Sequence, residues 1–508
     1  MKMVKSLLLG SAAGLVALSG AQAADLPVKA KPVQYVKICS LYGAGFYYIP
    51  GTDTCLKVGG FVRAEMNFRA NGSFGVPLNA NYDVRTGTQE ITRTRIIMSF
   101  DARSQTEYGT LRSYGRGGWQ WSSGDYQIGG SQGSNNATGA GGITGAPISS
   151  SSTTYFDRAF VQLAGFTAGK TQSFFDFFNA GLFSNQTPYL WMDTGGSGTP
   201  VFAYTATFGN GLSATISAEE YSEQALPIVN VTAGSLSATG TDITSTHAND
   251  GLPDIVANLR ADQTWGSAQI QGAAHDNRAT YYSGSTNISS SFPADEWGWA
   301  VGAGVQINLP MLGQGDVFSV ATNYCHGASR YCSNPNGGIR GAGDLYAITD
   351  GGTVGFANLA DAYYAGVNGG ATTGLQLPNA WNVEAGIAHH WNAHWQSSLY
   401  GGYLKYSANS SAADAGLTAA GAFAANTCAA LGLAAGCHDF AAWQIGSRLL
   451  WNPVPNLDIS LEALYHHVDG ALSGAVTPGA VGAGYAFATY GNLNEWSGIF
   501  RVQRNFYP

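Results

Sequence analysis

Charge is scarce in this chain. Asp, Glu, Lys and Arg make up 11% of its 508 residues, less than half the roughly 25% of ordinary soluble domains. Basic residues do not outnumber acidic ones: the formal charge is −8, which argues against a general affinity for nucleic acid. Long apolar runs are missing as well. Beyond the first 23 residues no stretch reaches the roughly 18 consecutive apolar residues of a membrane helix. The nearest, 412–436, is mostly Ala and Gly and carries Asp414 and Asn426. If such a chain crosses a membrane, it does so as a closed barrel. No pairing of nucleophile and base stands out from the Ser-, His- and Asp-containing background, so no enzyme is expected.

What is abundant is glycine, at 69 residues, and aromatic side chains, at 12%. They occur in short runs that alternate apolar and polar residues. In the last run Trp496, Gly498, Phe500, Val502 and Phe506 share one phase, with Arg504 as its exception. Glu495, Ser497, Ile499, Arg501, Gln503 and Asn505 share the other. Side chains alternate across a strand, so one face is oily and the other mostly wet. Strands of this kind suit a barrel with lipid outside and water inside.

Alternation and turn chemistry together predict a first strand at about 56–68 and seven hairpins after it. The hairpins fall at 90–115 (turning near Ser104), 155–172, 201–220, 254–275 (turning near Gln263), 296–324, 381–406 and 441–467. A last strand at 495–506 brings the expectation to sixteen antiparallel strands. Tight turns lie on one side and eight long connections on the other, the plan of a bacterial outer-membrane barrel. The connection 325–380 is long enough to hide a further hairpin. Trp391, Trp395, Trp443, Trp451, Tyr465, Trp496 and Phe506 fall near strand ends, where an interfacial girdle would sit.

The N-terminus carries Lys2, Lys5, an apolar stretch from Leu7 to Leu18 and the triplet Ala21-Gln22-Ala23. This fits a cleaved export signal at 1–23, leaving one barrel domain at 24–508. Six cysteines fall into three local pairs: Cys39 with Cys55, Cys325 with Cys332, and Cys428 with Cys437. Six cysteines allow 15 pairings, but the neighbour pairing is favoured because it needs no long-range assembly. No pair has the Cys-x-x-Cys spacing of a metal site. The histidines His389, His390, His394, His466 and His467 read as strand-end residues at a wet interface, and neither a metal nor another cofactor is expected.

The segment Cys39-Ser-Leu-Tyr-Gly-Ala-Gly-Phe-Tyr-Tyr-Ile-Pro-Gly-Thr-Asp-Thr-Cys55-Leu-Lys-Val-Gly-Gly-Phe-Val-Arg63 closely resembles the start of the barrel in the general porins of alphaproteobacteria. Thr92-Arg93-Thr94-Arg95, Phe100-Asp101-Ala102-Arg103, Gly165 to Lys170 with Ser173-Phe174-Phe175, and Arg501 to Phe506 match the same family. The resemblance implies a homotrimeric, sixteen-stranded channel in outer-membrane lipid for passive diffusion of small hydrophilic solutes and ions. It also implies a periplasmic stretch at about 24–55 and a long loop at about 173–200 folded into the lumen. Such porins usually end on an aromatic residue read by the barrel-assembly machinery, whereas Tyr507 and Pro508 follow Phe506 here.

A channel makes and breaks no bonds, so its functional residues are those lining its narrowest part. Val58, Val62, Ala64, Met66 and Phe68 read as outward, which turns Lys57, Arg63 and Glu65 inward. Likewise Thr92, Thr94, Ile96, Met98, Phe100 and Ala102 leave Arg93, Arg95, Asp101 and Arg103 inside. An Arg on the lipid face costs roughly 2–4 kcal/mol at the bilayer midplane, so this clustering implies a polar lumen. We expect Arg63, Arg93, Arg95, Arg112 and Lys170 to form a basic wall at the constriction, with Arg103 and Arg116 as turn or rim residues. Asp176 and Asp193 in the inward loop would face it, with Phe174, Phe175, Phe177 and Phe178 pinning that loop. Asp176 or Asp193 acting only as a strut is the competing expectation. Glu384, Arg448, Asp458, Glu462 and His466 have the inward phase on late strands but do not read as a site. Tyr189 and Trp191 leave open a substrate-selective channel, for instance for sugars.

Overall fold

The computed structural model describes residues 37–68, 90–123, 151–185, 198–230, 247–248, 251–282, 291–333, 344–348, 353–364, 366, 372–408, 439–469, 474–475 and 489–506. The expected export signal, Asp193, Tyr189, Trp191, and Cys428 with Cys437 lie outside these residues.

Sixteen strands form the wall. They are β1 (Cys55–Phe68), β2 (Glu90–Thr106), β3 (Gly109–Ser122), β4 (Ser151–Leu163), β5 (Phe166–Thr171), β6 (Thr199–Gly209), β7 (Leu212–Glu219) and β8 (Asp254–Gln263). There follow β9 (Gly266–Asn277), β10 (Glu296–Asn308), β11 (Val317–His326), β12 (Asn379–His390), β13 (Trp395–Ser407), β14 (Phe440–Trp451), β15 (Leu457–Asp469) and β16 (Leu493–Asn505). Each pairs antiparallel with the next, and β16 pairs with both β15 and β1, which closes the sheet. Closure matters because an open edge inside a bilayer would leave backbone N–H and C=O groups unsatisfied.

Turn chemistry sets the short-connection side. Ala164-Gly165 and Asn210-Gly211 have φ values of 51° and 89°, and 50° and 71°. These are the left-handed conformations that two-residue hairpin turns require. The β2–β3 turn falls at Glu107 and Tyr108, three residues beyond the expected Ser104, because the Gln105↔Thr110 and Thr106↔Gly109 pairs extend the ladder. The connection 325–380 does hold an extra antiparallel pair, Asp344–Ile348 with Thr353–Asn358, in a sheet separate from the barrel. Cys39–Cys55 and Cys325–Cys332 are bonded as expected.

The alternating phase is visible in burial. Val62, Met66, Phe68, Phe100, Trp119, Phe202, Ile216, Ile270, Leu399, Leu461 and Trp496 are exposed on the outer face. Glu65, Asn67, Arg93, Gln120, Gln269, Asn382, Glu462 and Arg501 are buried on the inner one. Inside, Phe175, Phe178 and Phe183 share one apolar core with Val229, Tyr331, Leu359, Tyr363 and the wall residues Tyr400, Leu404, Tyr406, Phe440 and Leu464. The barrel is thus partly filled by its own connections.

Candidate functional site

Register builds the site at the seam where the barrel closes. Arg63 on β1 lies opposite Arg95 on β2 and Gln503 on β16, and Glu65 lies opposite Arg93 and Arg501. Four guanidinium groups therefore gather around one carboxylate. Glu65 Oε2 accepts from Arg93 Nε at 2.6 Å, and Oε1 from Arg501 Nε at 2.5 Å. Arg63 Nη1 stands 3.7 Å from Glu65 and its Nε donates to Gln503 at 2.7 Å. Arg95 donates twice to Gln120 Oε1, at 3.0 and 2.6 Å. Like charges placed directly across a ladder repel, and Glu65 relieves that repulsion on both sides of its strand.

The remaining expected wall residues do not join this row. Arg112 pairs in register with Arg103, eight positions along β2 from Arg95, or about 26 Å at the strand rise. There Arg103 and Arg112 both donate to Asp101, with closest contacts of 2.8 and 2.9 Å. Arg116 sits between the two groups, 3.5 Å from Asp157. Lys170 is at the same level and 3.7 Å from Glu223. The structure thus brings Arg63, Arg93 and Arg95 together and sets Arg112 and Lys170 nearer the short-turn end.

Residues 173–185 leave β5 and contact inward-facing groups on strands far around the wall. Phe174 N–H donates to Glu219 at 3.0 Å, and Asn258 Nδ2 donates to the Phe174 carbonyl at 2.6 Å. Phe177 and Phe183 lie against wall positions Gly304 and Gly386, where a Cβ would stand 2.1 and 2.7 Å from their rings. The far end is held by charge. Arg448 donates to the carbonyls of Gly181, Leu182 and Ser184 at 3.3, 2.7 and 3.0 Å. Glu462 accepts from Ser184 Oγ and Asn185 N–H, each at 2.6 Å, and from Tyr400. Arg501 reaches the Asn185 carbonyl and, at 3.2 Å, its Oδ1. Arg501 therefore joins the arginine row to the segment's far end. Asp176 is buried, with its carbonyl 3.4 Å from Gln269 Nε2 and its carboxylate in the field of Arg330.

Sequence reasoning set aside Arg448 and Glu462 and did not single out Arg501. Their inward phase was the available signal; their partners, hundreds of residues away, were not.

A closed antiparallel barrel with an apolar exterior and a charged interior defines an outer-membrane channel. A profile of the family described as "Porin subfamily" matches residues 25–495, and the chain belongs to that family. Porin Omp2a of Brucella canis is 34% identical over 315 residues, which cover 59% of this chain and 74% of that protein. Porin Omp2b of Brucella abortus is 32% identical over 310 residues, covering 59% and 73%. Among solved structures, the outer membrane channel DcaP of Acinetobacter baumannii covers 90% of this chain and 99% of its own at 14% identity and a TM-score of 0.49. The anion-selective porin from Comamonas acidovorans covers 89% and 100% at 11% identity and a TM-score of 0.43. The chain is an outer-membrane porin: a water-filled channel for passive diffusion of small hydrophilic solutes and ions, not an enzyme.

Proposed function

We propose that the narrowest part of the water path runs between the basic wall and the inward loop 173–200, off-centre in the barrel. The observation that carries this is uneven burial: on the arginine side Glu65, Arg93, Gln120 and Arg501 are buried, but several of their neighbours are not. Inward groups on β9 to β15, including Gln271, Asn323, Asn382, Gln444, Arg448 and Glu462, are buried, whereas Arg63, Arg95, Arg112, Arg116 and Lys170 keep part of their surface open. Water therefore follows the arginine side. Arg63 and Arg95 meet the solute there, Arg112 and Lys170 extend the basic track toward the short-turn end, and Arg93 positions its neighbours through Glu65. Asp193 supplies the opposing acid, and Asp176 braces the loop from beneath. Three copies assemble in outer-membrane lipid after the barrel-assembly machinery folds the chain, and residues 1–23 direct export and are removed.

The test is planar-bilayer recording of Arg63→Ala with Arg95→Ala under a salt gradient. Higher single-channel conductance and a reversal potential moved toward cations are expected. An unchanged reversal potential overturns the assignment. Conductance that saturates with a sugar would instead favour a substrate-selective channel.

A further inference from the structure

A second charged cluster lies at the long-connection end. His275 on β9 sits between two carboxylates: Nδ1 is 2.8 Å from Asp254 Oδ1 on β8, and Nε2 is 3.6 Å from Asp361 Oδ2. All three side chains are fully buried. Tyr221 stacks on the imidazole at 4.6 Å, and Tyr331 donates to Asp254 at 2.7 Å. Asp361 belongs to a short strap, Leu359–Tyr364, whose Ala362–Tyr364 run pairs in parallel with Ile228–Asn230. Its carboxylate also takes the Leu226 N–H at 2.5 Å and the Ser329 N–H at 2.7 Å. One side chain thus fastens the strap to two other connections and to the wall.

The cluster continues to the inward segment. The Tyr331 ring lies 4.7 Å from Phe175, which shares the core with Leu359, Ala360 and Tyr363. Other titratable groups surround it. Asp276 follows His275 on its strand, and Glu219 stands opposite Asp254 on β7. Arg330 feels Asp361, Asp176 and Glu223. His247 Nδ1 is 3.2 Å from the Tyr221 hydroxyl, and Tyr406 bonds Tyr363 at 3.0 Å.

A neutral His275 would leave two buried carboxylates facing it without compensation, which is costly in a dry site. An imidazolium serves both, so the docked arrangement holds that proton. We propose that the strap 359–364 is a proton-tightened latch: acid seats it in the barrel mouth, and rising pH loosens it and, through Tyr331 and Phe175, frees the root of the inward segment.

The sign follows from linkage. Burial pushes the Asp361 carboxyl from 3.8 up to about 6, against the opposing pull of His275 and of the Leu226 and Ser329 N–H groups. A docked group with a raised pKa binds its proton more tightly than a released one. Docking is therefore favoured below 3.8 and loses ground as pH rises through 6, by roughly 100-fold from Asp361 alone.

The test uses the full-length protein in lipid between pH 4 and 8. It combines hydrogen exchange at 359–364, corrected for intrinsic chemistry, with single-channel conductance. Strap protection should fall and conductance rise with pH. Asp361→Asn should flatten the acid limb of both, and His275→Gln should leave the strap less protected throughout. Tyr331→Phe, which drops the bond to Asp254 but keeps a ring beside Phe175, should weaken both responses together. A flat wild-type strap profile overturns the latch, and it can be read even if Asp361→Asn fails to fold. An Asp361→Asn profile matching wild type overturns it equally.

Discussion

Glu65→Gln isolates the electrostatics of the barrel seam. The substitution keeps the side chain's size but removes the carboxylate that Arg93 and Arg501 both grip, at 2.6 and 2.5 Å through their Nε atoms. The Glu65 side chain has no solvent exposure, and those of Arg93 and Arg501 have only 6% and 10%, so water cannot take its place. Removing one partner of a buried ion pair costs about 3–5 kcal/mol, because the other partner is left charged and dry. Here two guanidiniums are stranded and Arg63 loses its nearest acid, so the upper part of that range is expected. Urea unfolding of the barrel from lipid vesicles, followed by tryptophan fluorescence, measures it. Adding Arg93→Gln to Glu65→Gln should restore part of the loss, with a coupling of about 0.5–3 kcal/mol. High salt should restore little, since the charges are not open to screening. A loss below about 1 kcal/mol for Glu65→Gln would refute the claim that one carboxylate holds this row together.

Arg448→Gln should release the carbonyls of Gly181, Leu182 and Ser184. Hydrogen bonds to a charged donor contribute about 1.5–3 kcal/mol, and noisier open-channel current in bilayer recordings should accompany the loss. Replacing Cys325 and Cys332 with Ser opens a loop of sequence separation 7, for which chain entropy gives about 2–3 kcal/mol. Faster hydrogen exchange at Ser329–Tyr331, with the wall strands unchanged, would show that the bond steadies the latch's surroundings rather than the barrel.

The sixteen strands were legible because a period of two uses only local information. The same reasoning stopped the β2–β3 hairpin too early. Ser104, Gln105 and Thr106 look like loop residues because both faces of the sheet are wet beyond the bilayer, yet their backbone groups still pair. Inward phases on β1 and β2 were equally legible and placed Arg63, Arg93 and Arg95. Strand pattern could not say where the segment after β5 lands, because Ser184 meets Glu462 across 278 residues. Asp176 shows the same limit: burial of Phe175 and Phe178 on either side carries it under the wall. A residue's phase can be read from its own strand, but its partner belongs to the fold.

In this barrel the aromatic core and the arginine row of β1, β2 and β16 occupy different parts of one lumen. Gly304 and Gly386 leave the inner wall of β10 and β12 bare, so the rings of Phe177 and Phe183 can pack directly against backbone. The core they enter extends through Tyr400, Leu404, Tyr406 and Phe440 and excludes water from that side. A dry wall has low polarisability, so field lines from charges facing it are focused into the remaining aqueous path instead of being absorbed. Arg63 and Arg95 therefore act on a passing solute more strongly than they would in a barrel filled with water. Loosening the dry side should weaken selectivity even with every arginine in place. Phe183→Ala, which removes a fully buried ring at the contact with Gly386, should cost about 3–5 kcal/mol and move the reversal potential in a salt gradient toward zero. A variant that loses stability but keeps the wild-type reversal potential would show that the arginines work without the dry wall behind the path.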